Sequence, residues 1–121
     1  VRTFLFLLSF LSLFAGDNGK IYEKGKTLYF QKGCNNCHGG RAEGTGNYPM
    51  LANKPKGFLT YKLDTFKKGV ADNARQEMMV GFAVPLDAEQ IDAITTFLSD
   101  FHDAETERYD TEYETWGDGG S

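Results

Sequence analysis

Apolar residues recur at helical spacing in four stretches of this chain, separated by short polar, glycine-rich or proline-bearing segments. From Lys20 to Lys32, Ile21, Leu28 and Tyr29 stand among lysines, and Gly33 supplies a stop. Gly39 to Asn47 holds four glycines and reads as a loop. Lys56 to Lys68 carries Phe58, Leu59, Leu63 and Phe66 at near-helical intervals, with Gly57 and Gly69 at its ends. Asn73 is a fair N-cap for a shorter helix to Phe82. The last pattern is the clearest. Asp87 caps it, Gln90 stands at the capping-box position, and Ile91, Ile94, Leu98 and Phe101 form one apolar stripe with Phe97 beside it. An all-α fold of about four helices follows.

The two ends read differently from this body. Residues 3–15 follow Arg2 as an apolar run that ends near the small residues Ala15 and Gly16. A spanning helix wants about 20 apolar residues, so residues 1–16 read as a secretory signal peptide, with a retained N-terminal anchor as the alternative. Residues 17–103 form the domain. Residues 104–121 make an acidic, aromatic tail in which Tyr109, Thr111, Tyr113 and Thr115 alternate with acids. Such a tail is either disordered or, given its period of two, a strand for a partner's sheet edge or a neighbouring subunit.

Size and charge narrow the picture. A body of about 85 residues buries only about 60 to 65% of its unfolded surface, so a bound group would supply much of the missing core. Between Lys20 and Arg75 eleven Lys/Arg face four Asp/Glu, whereas from Gln76 onward Arg108 alone opposes twelve acids. The formal net charge of -4 therefore conceals a dipole. That asymmetry fits oriented docking to a charged protein partner and argues against nucleic acid.

The chemistry concentrates at Gly33 to Gly40, where Cys34, Cys37 and His38 stand as C-x-x-C-H. This is the spacing that attaches a c-type haem. Two thiols three residues apart on one turn can each form a thioether to a different vinyl group of one porphyrin, and His38 is then held under the iron as its proximal ligand. Two rival readings exist. A redox C-x-x-C pair wants a thioredoxin-like strand and helix, and a structural zinc site wants four ligands where this chain offers few.

With its preceding helix, the stretch from Leu28 to Gly39 resembles the N-terminal helix and haem-binding turn of small class I c-type cytochromes. The resemblance covers about Lys20 to His102. It implies a small cytochrome c fold wrapped around one covalent haem c, with the first and last helices crossing where Gly25, Tyr29 and Phe97 meet. It also implies that the Pro49 carbonyl accepts a hydrogen bond from the proximal His38. The second axial ligand in such proteins is a methionine shortly before the last helix. The interval to the Asp87 cap selects Met79, with Met78 as the alternative; Met50 and His102, near the end of the last helix, are weaker candidates. The function implied is that of a mono-haem electron carrier outside the cytoplasm, periplasmic or otherwise exported, docking with redox proteins through charged surfaces. Contact with a membrane is implied only if the N-terminal segment is retained. Two other roles are compatible: a fixed electron-transfer subunit of a larger redox complex or cytochrome polymer, and a haem enzyme or sensor with an open sixth position.

Overall fold

The computed structural model describes residues 17–103. The leader and tail assigned from sequence, residues 1–16 and 104–121, lie outside the described residues. Five helices follow one another: α1 (Asp17–Gln31), α2 (Asn35–His38), α3 (Lys56–Lys67), α4 (Ala74–Ala83) and α5 (Ala88–Ser99). Among the described residues no strand forms, only an isolated bridge between Thr45 and Tyr48. No helix there is long and apolar enough to cross a membrane.

The core is the crossing of α1 and α5. Tyr22, Gly25, Leu28 and Tyr29 of α1 are buried against the continuous buried run Ala93–Leu98 and Ile91. Gly25 makes the close approach possible, because a Cβ there would land on the Ala93 carbonyl and within 2.8 Å of Phe97 Cβ. Phe97, 1% exposed, sits at the centre of an aromatic cluster. Tyr22 meets it edge-on at 5.2 Å, Tyr29 is tilted against it at 5.4 Å, and Phe101 closes the other side at 5.7 Å.

Local chemistry sets the helix ends. Asp87 and Gln90 complete a reciprocal capping box at α5: Asp87 Oδ1 accepts from the Gln90 N–H at 2.8 Å, and Gln90 Oε1 accepts from the Asp87 N–H at 3.0 Å. Asn73 caps α4 by accepting from the Gln76 N–H at 3.1 Å. Two features differ from the sequence pattern. The haem-motif residues form a helical turn of their own, α2, and α5 ends at Ser99, so His102 lies beyond it rather than near its end. His102 instead stacks on the Tyr22 ring at 4.6 Å, where the Tyr22 hydroxyl accepts from its backbone N–H and donates to its carbonyl. Asp100, with φ -101° and ψ 17°, turns the chain out of the helix to allow this.

Candidate functional site

Between α2, the loop after it, α3, α4 and the inner face of α5 lies a cleft of about 730 Å³. Cys34, Cys37 and His38 stand along one side of it, because the chain turns sharply as α1 ends. Gly33 takes φ 76°, the Cys34 N–H donates to the Tyr29 carbonyl at 3.1 Å, and the His38 N–H returns to the Cys34 carbonyl at 2.9 Å. That single turn sets both half-buried thiols and the imidazole at the cleft. Burial pushes the Cys34 thiol up from its ordinary value; the Cys37 charge adds to this, while a backbone hydrogen bond and Lys32 pull it back.

His38 is 6% exposed and held from several directions. Its Nδ1 lies 2.9 Å from the Pro49 carbonyl oxygen. A carbonyl can only accept, so Nδ1 carries the proton and the nitrogen left to the cleft is Nε2, with its lone pair free for a metal. The His38 carbonyl accepts from the Gly44 N–H at 2.8 Å, and the next carbonyl, that of Gly39, accepts from the Tyr29 hydroxyl at 2.6 Å. Burial, then the charges of Cys34 and Glu43, push the Tyr29 phenol well above its ordinary value, so it remains a donor. Thr45 Oγ1 donates to the Cys37 carbonyl at 2.8 Å. Gly44, at φ 78°, lets the loop double back: a Cβ there would sit 2.7 Å from the Tyr48 oxygen and the Met50 nitrogen.

The opposite side comes from α3 and α4. Leu59, Leu63 and Phe66 supply the floor, and Met78, Met79 and Phe82 face it from α4. Met79 is half-buried, whereas Met78 is 53% exposed. Met50 also lines the cleft; His102 does not. Met50, Phe58, Met78 and Phe82, among the most exposed large apolar residues described, all turn toward this one cavity. Apolar side chains half-bare around a deep cleft are the walls of a site for a flat apolar group. Two thiols, an imidazole nitrogen and methionine sulfur on those walls are the donors that a covalent haem requires, so the residues present fit it.

Such a helical frame, with a crossing at Gly25 and a thiol-imidazole turn over an apolar cleft, defines a class of small electron-transfer proteins. A model of the cytochrome c family matches residues 22–101, and the chain belongs to that family, with the covalent haem c and the redox role that membership carries. It is similar to the thiosulfate dehydrogenase electron acceptor of Thiomonas intermedia (strain K12), with 41% identity over 70 residues. That match takes in 54% of this chain and 30% of the relative, so the chain spans less than a third of the relative's length.

Several contributors were silent in the sequence. Tyr29 was legible as an aromatic at the helix crossing; its hydroxyl, which needs a partner when buried, was the signal for the bond to Gly39. Thr45 and the positive-φ residue Ala42, whose carbonyl accepts from the N–H groups of Leu51 and Ala52, carry no local signature of their roles.

Proposed function

We infer that this domain carries one covalent haem c in the cleft and passes single electrons between redox proteins outside the cytoplasm. Cys34 and Cys37 would hold it through thioethers, and His38 Nε2 and the Met79 sulfur would be the ligands offered to its iron. When bound, haem supplies an iron that alternates between Fe(III) and Fe(II), one electron at a time. The Pro49 carbonyl fixes the imidazole plane and raises its donor strength by drawing on Nδ1–H. A thioether ligand in an apolar shell favours the reduced metal and raises the potential. Leu59, Leu63 and Phe66 keep water from the cleft, which limits reorganisation when charge moves.

The observation that carries this reading is the His38 Nδ1 to Pro49 oxygen distance of 2.9 Å in a cleft lined on its far side by Met79. Of the two methionines on α4, Met79 is preferred because it is the less exposed. The relative's name, an electron acceptor of thiosulfate dehydrogenase, supports a donor of the thiosulfate-oxidising kind. The partial coverage of that longer relative favours a second reading, in which this domain is the electron-transfer module of a larger assembly.

The test is production in a host able to install haem. Acid-acetone extraction should leave the colour on the polypeptide, its mass should rise by one haem, and the ferric form should show the far-red band of sulfur on iron. A colourless chain would refute the haem reading; a coloured chain without that band would refute Met79 and leave the sixth position open to small ligands.

A further inference from the structure

The helix that carries Met79 has little of its own to hold it. α4 packs against α3, buries Ala83 alone, and has no basic side chain in its last turn to meet the carbonyls that a helix end leaves bare. Its exit is short: four residues, Val84 to Asp87, lead to Ala88 at the start of α5. Pro85 brings no N–H to that turn, and the donors that remain are engaged. The Val84 N–H returns to the Val80 carbonyl at 3.0 Å, the Leu86 N–H to the Ala83 carbonyl at 3.0 Å, and the Asp87 N–H to Gln90 Oε1 at 3.0 Å. Two carbonyls of the turn are met from outside it by one side chain. Lys67 Nζ donates to the Val84 carbonyl at 3.4 Å and to the Leu86 carbonyl, 17 and 19 positions further along the chain. Leu86 is 4% exposed and belongs to the core built on α5, so the ammonium fastens the turn at the point where the core begins. Among the described residues Lys67 pairs with no carboxylate, and it stands outside the cleft lining.

We propose that Lys67 is a positioning residue for the sulfur ligand: its ammonium latches the α4–α5 turn to the end of α3 and so keeps Met79 over the cleft. The inference rests on the reading that Met79 binds the iron and adds what holds it there. Met79 stands four residues before Ala83, about one helical turn from the latched end. For the sulfur to leave, that end of α4 has to lift from α3, and two charge-assisted hydrogen bonds bridging the elements resist the lift. Their loss changes how often the sulfur departs. The α1/α5 crossing, to which Lys67 does not belong, is left as it was.

Imidazole added to the ferric holoprotein reads the latch directly. It takes the place of a methionine only after the sulfur has left, so at high imidazole the rate levels off at the rate of opening. Lys67→Met keeps an apolar stem and removes the donors; it should raise that limiting rate about tenfold, as loss of hydrogen bonds from a charged group does. Lys67→Arg keeps the charge and the N–H donors and should leave the rate within about twofold of the unaltered protein. An unmoved rate in Lys67→Met would overturn the proposal, even beside a lowered denaturant midpoint, and so would a rate in Lys67→Arg as fast as in Lys67→Met. Hydrogen exchange gives a reading that needs no added ligand. In Lys67→Met the amides of the last turn of α4 should lose protection while those of α1 and α5 keep theirs, and equal loss throughout would overturn the proposal. The reading beneath it is tested separately: an unaltered protein without the far-red band would defeat Met79 as the ligand, whereas a band with an unmoved rate would defeat the latch alone.

Discussion

The α1/α5 crossing and the α3/α4 pair are built on different terms. At the crossing, protein packs on protein: Tyr29 and Phe97 are almost wholly buried, and α5 buries seven of its residues. α4 buries Ala83 alone, and its large apolar residues Met78 and Phe82 stand about half exposed at the cleft. One half is therefore a frame in which side chains of the chain bury one another, while in the other the large apolar side chains line the cleft instead. Helices with few buried contacts open most easily, so the half that carries Met79 should be the more labile.

The largest test of that contrast is loss of both thioethers. Cys34→Ser with Cys37→Ser should yield a chain that loses all its colour to acid-acetone. Hydrogen exchange should then show α3 and α4 unprotected while α1 and α5 retain measurable protection; equal loss in all helices would erase the distinction.

Next come two glycines with opposite expected signs. Gly25→Ala drives a Cβ into the α5 backbone and should cost at least the upper end of the about 1 to 3 kcal/mol typical of an overpacked core. Gly81→Ala on α4 meets nothing within 4 Å and should stabilise by up to about 1 kcal/mol through helix propensity. Denaturant midpoints of the oxidised holoprotein decide both.

A redox readout sharpens the same contrast. Met79→Ala should lower the reduction potential by tenths of a volt, out of the roughly 0.8 V that axial ligands span, and abolish the far-red band, while the thermal midpoint of the α1/α5 frame moves little. Met78→Ala should leave the band in place. Retention of the band in Met79→Ala would transfer the ligand role to its neighbour.

The smallest effect belongs to the link between the halves. Tyr29→Phe leaves the Gly39 carbonyl without its buried donor and should cost about 1 to 3 kcal/mol. Because that carbonyl follows His38, the potential should shift as well; stability loss with an unmoved potential would confine Tyr29 to packing.

Much of this was open to reading along the chain because its causes are local. The capping box of Asp87 and Gln90, the stripe from Ile91 to Leu98 and the C-x-x-C-H turn each depend on residues within two turns of one another. The approach of Gly25 to α5 and of Pro49 to His38 was legible only through likeness to a family, since spacing alone does not bring distant segments together. The stop of α5 at Ser99 was misread because Phe101 continues the apolar stripe. It faces Phe97 from beyond the helix end, and the Tyr22 hydroxyl, 80 positions away from His102 in sequence, captures the backbone that an extra turn would have used.

The amino-acid order by itself determined the helices, their caps, and the thiols and imidazole gathered on one turn, because short-range hydrogen bonding and periodicity govern those. The tertiary structure alone decided where the Tyr29 hydroxyl goes and that, among the described residues, Lys54, Lys62 and Arg75 line the cleft without a carboxylate. Those are contacts between segments far apart in the chain, settled by how the packed helices and the loop between them close together.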